Sequence, residues 1–204
     1  MIDHFQNKAK DWDNPMQIEL TSKFVNQLRN SIFIYEQDIY AEVGCGTGLV
    51  GLSFAEEIKK IYMIDNSPSM INVLKEKLID SPIADKVEII ENEFEKISLK
   101  NISGVINFLS LHHIEDVSSY IKKVKDSLKD NGFFVVGDLV NEDGSFHTNN
   151  IVPHFGFDLR NLATKLEEEG FIILRETIYD RIYKNDKTYP LFILIAQKWK
   201  EKLY

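Results

Sequence analysis

Short apolar runs alternate with longer segments of helical periodicity along most of the chain. Apolar residues such as Phe24 and Leu28 recur at helical spacing, which predicts a helix over residues 16–30. The apolar run 38–43 ends at a cluster of glycines, which is typical of a buried strand. Further helices are predicted over 49–58, 67–79, 115–129 and 158–170, and further strands over 60–65, 86–91, 104–110, 133–139, 171–183 and 189–199.

This alternation predicts an α/β fold in three layers, with helices on both faces of a mostly parallel sheet. Ser67 is the predicted N-cap of its helix, and Gly170 is the predicted glycine that ends another. The last two runs form a hairpin, so the sheet has seven strands and the last one is antiparallel. We expect one domain over residues 1–204, with an N-terminal helical arm (1–35) and a lid-like loop (139–157).

Residues 41–51, AEVGCGTGLVG, place four glycines within eight residues directly after the first strand. Glycine is required where the backbone takes positive φ or where a Cβ would keep a ligand away. In an open parallel sheet, ligands bind beyond the carboxyl ends of the strands. We therefore expect a ligand at this loop, and free N–H groups at the start of the predicted helix 49–58 to face an anionic group on it.

Two ligand classes fit the glycine pattern. Gly46-x-Gly48-x-x-Gly51 matches the fingerprint of dinucleotide-binding proteins, and Glu42-x-Gly44-x-Gly46-x-Gly48 matches the pattern of S-adenosylmethionine (SAM) binders. Asp65, at the end of the second strand, suits the ribose hydroxyls of either ligand. Glu42 favours SAM, because an acid can meet the ammonium of the methionine part but gains nothing from a pyrophosphate.

Charge and composition limit the kinds of partner and the classes of protein that fit this sequence. The formal net charge of −8 disfavours a nucleic-acid partner, and no apolar run is long enough for a signal peptide or a membrane span. Cys45 is the only cysteine, which agrees with a reducing compartment, and no group of histidines or cysteines has metal-ligand spacing. We expect a cytoplasmic protein without a metal, whose oligomeric state stays open.

The motifs AEVGCGTG, YMIDNSPSMI, NFLSLHHIED and LKDNGFFVVGDL together resemble the successive motifs of class I SAM-dependent methyltransferases. The resemblance covers almost the whole chain and implies a Rossmann-like, seven-stranded sheet with SAM as cofactor and S-adenosylhomocysteine as product. The cofactor residues that it implies are Trp12, Glu42, Gly44, Cys45, Gly46, Gly48, Asp65, Asn66, Met70, Asn92, Glu93, Phe94 and Ser110. Asn92-Glu93 departs from the Gly-Asp that is common in the family, which weakens the assignment of an adenine contact there.

Three histidines are candidates for catalysis. His112 follows the fourth strand, where the family places residues near the reacting methyl group, although it and His113 also suit a purely structural role. His147 and His154 lie in loop 139–157, and His154 is favoured because Pro153 restrains the backbone beside it. Cys45 has no partner base in sequence and is not expected to act as a nucleophile.

These features predict an enzyme that transfers a methyl group from SAM to a small-molecule acceptor. Two alternatives remain open: a SAM-binding regulatory or partner protein without turnover, and a nicotinamide-dependent oxidoreductase. The identity of the acceptor and the atom that is methylated do not follow from the sequence.

Overall fold

The structure is a computed structural model that describes residues 3, 5, 6, 8–147 and 152–199. The chain divides into two compact units, Met1–Ser98 and Leu99–Tyr204. Because residues 1, 2, 4, 7 and 148–151 are not among the described residues, parts of the predicted arm 1–35 and of the predicted lid-like loop 139–157 lie outside the description. Within the part of the chain that is described, no helix combines the length and apolar character needed to cross a membrane.

The first unit contains three parallel strands of the sheet. Its strand β1 pairs in parallel with β2, and β2 pairs in parallel with β3. The elements are α1 (Pro15–Arg29), β1 (Ile39–Val43), β2 (Lys60–Asp65), α2 (Pro68–Leu78) and β3 (Val87–Glu91).

The second unit contains the antiparallel part of the sheet. Its elements are β4 (Ile102–Phe108), α3 (Val117–Ser127), β5 (Leu128–Leu139), α4 (Leu159–Glu168), β6 (Phe171–Lys184) and β7 (Lys187–Lys198). β4 pairs in parallel with β5, whereas β7 lies between β5 and β6 and is antiparallel to both. Residues 191–196 of β7 are fully buried, as expected for an interior strand.

The seven strands follow the order β3-β2-β1-β4-β5-β7-β6, so the predicted fold class is confirmed. Asn185 and Asp186 form the short turn between β6 and β7, and both residues take positive φ (52° and 55°). Two such residues suit the type of turn whose twist matches a hairpin. The terminal hairpin thus makes the last strand antiparallel, as predicted.

Local sequence signals set several helix ends. The Ser67 side chain accepts a hydrogen bond from the Met70 N–H at the start of α2, so the predicted N-cap is confirmed. Gly170 takes φ +84° just after α4, which confirms the predicted terminating glycine. The helix predicted over 115–129 ends at Ser127, and β5 begins at Leu128, before the predicted strand 133–139; its pairing with β4 is irregular between Ile102 and Gly104.

The helix predicted over residues 49–58 is wrong. The segment forms two short 3-10 turns, Gly51–Ser53 and Ala55–Glu57. The Gly51 N–H donates to the Glu42 carboxylate at 2.8 Å instead of to a carbonyl one turn back, and Phe54 leaves the helical region at φ −129° and ψ 9°. The Phe54 ring packs edge-on against Tyr40 and is almost fully buried. The expected helix N-terminus behind the glycine loop is therefore absent.

Candidate active site

Three glycines of the loop after β1 adopt a backbone that side chains disfavour. Gly44, Gly46 and Gly48 take φ of 70°, 53° and 85°. The N–H groups of Gly44 and Cys45 both donate to the carbonyl of Ile64, which holds the loop against the end of β2. The requirement for positive φ explains the glycines without reference to any ligand.

One glycine also leaves open space. A Cβ placed on Gly46 would meet nothing closer than Met70 Sδ and Trp12 Nε1, both at 3.9 Å. A Cβ on Gly48 would lie 2.6 Å from Leu74 Cδ1, and one on Gly51 would lie 2.5 Å from Met63 Sδ. A side chain at Gly48 or Gly51 would therefore require its neighbours to shift, whereas Gly46 leaves room for a ligand to approach between Met70 and Trp12.

Asp65 ties the glycine loop to the start of α2. Its Oδ2 accepts from the Gly46 N–H at 2.8 Å, and its Oδ1 accepts from the Ser67 N–H at 2.8 Å. Burial raises the pKa of Asp65, although these hydrogen bonds oppose the shift. Each carboxylate oxygen has a second lone pair, so the predicted contact with a ribose is compatible with this arrangement.

Glu42 is a buried acid beneath the loop. Its side chain is 2% exposed, and its Oε2 accepts from the Gly51 N–H. Burial raises the pKa of Glu42 to about 8, since the hydrogen bond from Gly51 only partly offsets the loss of solvation. A buried acid that is neutral at physiological pH can become charged when a cation arrives beside it.

The other residues predicted to bind the cofactor from this unit differ in exposure. Met70 and Phe94 are buried, Asn66 and Asn92 are exposed, and Glu93 forms an ion pair with Lys96 at 3.0 Å. The Cys45 thiol is buried, and burial raises its pKa well above the usual value. A thiol in that state is a poor nucleophile, in line with its predicted role as a small side chain.

The N-terminal arm contacts this loop through Asp13, which the sequence analysis missed, as well as through the predicted Trp12. Asp13 accepts from the Thr47 hydroxyl and forms an ion pair with Lys77, while Trp12 lies beside Gly46 and packs edge-on against Phe5. Because Asp13 and Thr47 are 34 positions apart, no local pattern indicates their contact. Trp12 therefore lies beside Gly46 of the glycine loop, and its contact with a cofactor stays a prediction.

Asp3 is a second missed residue of the arm. Its Oδ1 accepts from the Ser67 hydroxyl at 2.8 Å, and its Oδ2 accepts from the Ser69 N–H at 3.0 Å and the Ser69 hydroxyl at 2.6 Å. Burial opposes the shift, but the hydrogen bonds from Ser69, Phe5 and Ser67 lower the pKa of Asp3 to about 2. An anionic Asp3 at the start of α2 stabilises that helix.

In the second unit, a histidine and a carboxylate form a buried pair. His112 Nδ1 lies 2.8 Å from Asp138 Oδ1, and the His112 N–H donates to Asp138 Oδ2 at 3.1 Å. Asp138 is fully buried and His112 is 4% exposed. Because the carboxylate fixes a proton on Nδ1, the neutral ring keeps the lone pair of Nε2 for an acceptor. The predicted Ser110 precedes this pair, and its carbonyl accepts from the His113 N–H.

A second histidine lies against the first. The rings of His112 and His147 have centroids 4.8 Å apart, and His147 Nδ1 faces Glu142 Oε1 at 3.8 Å. Burial lowers the pKa of His147, and the nearby His112 adds to that shift while Glu142 opposes it. Sequence reasoning missed Glu142, because its position beside His147 depends on how the loop folds after β5.

His154 makes a different kind of contact. Its Nε2 lies 3.0 Å from the carbonyl of Ile114 and 3.3 Å from that of Glu115, so this nitrogen is the donor. Its backbone N–H donates to the carbonyl of His112 at 3.3 Å. These contacts anchor the loop beside His112 and use Nε2 as a donor, which leaves only Nδ1 with a lone pair. Among the described residues, no cluster of three or more histidine, cysteine or acidic side chains is arranged to hold a metal ion.

Known proteins resemble this chain over different lengths. A family model described as a methyltransferase domain matches residues 41–136. A carboxy-S-adenosyl-L-methionine synthase of Nautilia profundicola is 30% identical over 74% of this chain and 68% of that protein. A probable cobalt-precorrin-6B C(15)-methyltransferase of Methanobrevibacter smithii is 40% identical, but the match spans 33% of this chain and only 36% of that protein.

The fold has close structural counterparts. A SAM-dependent methyltransferase from Aquifex aeolicus superposes with a TM-score of 0.73 at 19% identity, covering 94% of this chain and 97% of that structure. At this identity the likeness concerns the fold, whereas the sequence match to the Nautilia protein extends to the family. Together with the glycine loop, these findings show that the chain belongs to the class I SAM-dependent methyltransferases.

Proposed function

We propose that this protein transfers a methyl group from SAM to a small-molecule acceptor. The observation that carries the proposal is the buried His112–Asp138 pair, with Nδ1 and Oδ1 2.8 Å apart. A protein that only binds SAM does not require an imidazole whose tautomer is fixed by a buried carboxylate. An enzyme that must remove a proton from its acceptor does.

The first unit fits SAM by its own contacts. The open backbone at Gly46 admits a ligand between Met70 and Trp12, and Asp65 has lone pairs for ribose hydroxyls. Glu42 is a buried acid suited to a cationic group, as the ammonium of SAM is. We propose that these residues, with Gly44, Cys45, Gly48, Asn66, Asn92, Glu93 and Phe94, bind the cofactor; the contact of Ser110 with the cofactor stays a prediction from the sequence.

The bound cofactor supplies a methyl group already activated by its sulfonium. The protein therefore mainly positions the acceptor and excludes water from it. His112 takes a proton from the acceptor at Nε2, and Asp138 stabilises the imidazolium that results. His154 holds the loop through backbone carbonyls and acts as a positioning residue, and His147 lies beside the base.

A small acceptor agrees with the charge of the chain and with its relatives. The net charge of −8 disfavours nucleic acid, and the curated relatives include proteins named for small molecules such as a cobalt-precorrin. A cytoplasmic location, one functional domain over the whole chain and a lid role for loop 139–157 remain predictions.

The decisive experiment combines the protein, SAM labelled in its methyl group and a metabolite extract of the source organism. We expect S-adenosylhomocysteine to form and the label to enter a low-molecular-weight product, and heat-inactivated protein serves as the control. If SAM binds but no S-adenosylhomocysteine accumulates with any extract, the protein is a SAM-binding regulator. In thermal unfolding, S-adenosylhomocysteine should raise the melting temperature and NAD should not; the reverse result would indicate an oxidoreductase.

A further inference from the structure

The second unit contains two histidine–carboxylate pairs with the same internal orientation. In His112 the nitrogen nearest a carboxylate is Nδ1, 2.8 Å from Asp138. In His147 it is again Nδ1, 3.8 Å from Glu142. With the two rings 4.8 Å apart, each neutral imidazole that keeps its proton on Nδ1 offers the lone pair of Nε2. Two adjacent imidazoles of this kind can accept hydrogen bonds from one ligand.

The pair formed by Glu142 and His147 is buried and incomplete. Glu142 Oε1 and His147 Nδ1 are buried and, among the described residues, lack hydrogen-bond partners. Glu142 Oε2 accepts from the Phe146 N–H at 3.1 Å, so only the oxygen that faces His147 is unpaired. Buried polar atoms without partners destabilise a fold unless a ligand or a small closure satisfies them. A separation of 3.8 Å becomes a hydrogen bond after a movement of about 1 Å.

The segment that carries this pair is held by the β6–β7 hairpin. The Lys184 ammonium donates to the carbonyl of Phe146 at 2.7 Å, and the Lys187 ammonium donates to Asp143 at 2.7 Å. The Tyr189 hydroxyl lies 2.7 Å from Ser145 Oγ. Glu142 and His147 thus lie on either side of a clamped turn, which is how a binding site is kept in place rather than how a free surface loop behaves.

The charges around the two imidazoles select the acceptor. An anionic acceptor, such as a carboxylate, is repelled by Asp138 and Glu142. An ammonium is stabilised by the same two carboxylates in its protonated, unreactive form. A neutral hydroxyl avoids both problems, because it donates to an imidazole and the charge that develops on its oxygen faces a developing imidazolium. The low pKa of His147, caused mainly by burial, keeps that ring neutral and able to accept a hydrogen bond.

We infer that His112, backed by Asp138, accepts the proton of a neutral hydroxyl group, that His147, backed by Glu142, accepts a hydrogen bond from a second donor group of the same molecule, and that the protein is an O-methyltransferase. This inference rests on the proposed function. The acceptor oxygen bonds to the methyl carbon, the sulfur–methyl bond breaks with its electron pair going to sulfur, and the hydroxyl proton goes to His112 Nε2. The proton then passes to water. His147 accepts from the second donor group and so orients the acceptor, and Glu142 fixes the tautomer of His147.

The methylated element can be read without knowing the acceptor. SAM carrying a ¹³C methyl group is incubated with the full chain and a metabolite extract, and proton–carbon correlation spectra are recorded. Methyl groups on oxygen resonate at a higher carbon chemical shift than methyl groups on sulfur, carbon or a neutral amine. A new signal in the oxygen-bound region is expected. A new signal only in another region overturns the inference but leaves methyl transfer intact, whereas no new signal overturns the proposed function and this inference with it.

Two variants then test the second pair on the acceptor so identified. His147→Gln and Glu142→Gln should each raise KM for the acceptor about tenfold, the loss expected for one hydrogen bond of about 1.4 kcal/mol, with a smaller change in kcat. Glu176→Gln, at an exposed position of β6, is the matched control and should change neither parameter. Unchanged KM in both variants, or equal loss of SAM affinity, would show that the pair is only structural.

Discussion

The glycine loop 44–51 and the described part of loop 139–157 are held in place in opposite ways. The first is shaped by its own backbone, with three positive-φ glycines and hydrogen bonds to residues at the end of β2. The second is shaped by side chains from elsewhere in its unit, including Lys184, Lys187 and Tyr189 of the hairpin. A loop of the first kind can be predicted from a short stretch of sequence. The conformation of a loop of the second kind can be described only when the fold is known.

The largest expected effect separates the two histidines near the second loop. His112→Gln removes the proposed base and should lower kcat about 100-fold or more, the usual contribution of general-base catalysis. His154→Gln keeps a side-chain donor for the Ile114 carbonyl and should lower kcat less than tenfold. Turnover at saturating SAM, with SAM affinity measured by calorimetry, checks both. A larger loss for His154→Gln would restore His154, which the sequence favoured, as the catalytic histidine.

The second prediction compares one glycine from each loop. Gly48 and Gly144 both take φ +85°, so alanine strains the backbone equally at the two positions. At Gly48 the added Cβ lies 2.6 Å from Leu74 Cδ1, whereas at Gly144 the nearest atoms, of the Phe155 ring, are 3.5 Å away. Gly144→Ala should cost about 1 kcal/mol of unfolding free energy, and Gly48→Ala about 2–4 kcal/mol.

Denaturant unfolding of both variants measures this difference directly. Equal losses would mean that α2 yields to the new methyl group and that the glycine loop is less tightly packed than its contacts indicate. A loss at Gly144 that exceeds the loss at Gly48 would reverse the comparison between the loops.

The same contrast explains what the sequence could predict. Strand 60–65, the Ser67 cap and the antiparallel hairpin follow from periodicity and from residues close in sequence, and the structure confirms them. The helix expected over 49–58 failed because a side chain on β1, Glu42, takes the Gly51 N–H. Asp3, Asp13 and Glu142 escaped notice because their partners lie far away in sequence or because a loop must fold back first. Tertiary contacts of this kind leave no periodic signal.

The third prediction concerns Asp65, which serves the glycine loop and the proposed ribose contact together. Asp65→Ala should weaken SAM binding by about 1.5–3 kcal/mol, the range for hydrogen bonds to a charged group. Because Asp65 also accepts from Gly46 and Ser67, the variant should lose about 1–2 kcal/mol of stability as well. Calorimetry and thermal unfolding separate the two losses, and normal SAM affinity in the variant would place the ribose elsewhere.

The smallest expected effect is the pH response of Glu42. Its pKa is raised to about 8 in the folded protein, mainly by burial, whereas an unfolded glutamate titrates near 4.3. Between these values the folded state holds one more proton than the unfolded state, so the free energy of unfolding should fall as the pH rises, by about 1.3 kcal/mol from about pH 6 to about pH 7. Glu42→Gln stays neutral, and its free energy of unfolding should depend less on pH.

The sharper measurement is SAM titration by calorimetry near pH 7 in two buffers of different ionisation enthalpy. If the ammonium of SAM binds beside Glu42, binding should release close to one proton in the wild type and none in Glu42→Gln. Release of equal numbers of protons by both would mean that Glu42 only supports the turn at Gly51, and that the glycine loop meets its ligand through the backbone alone.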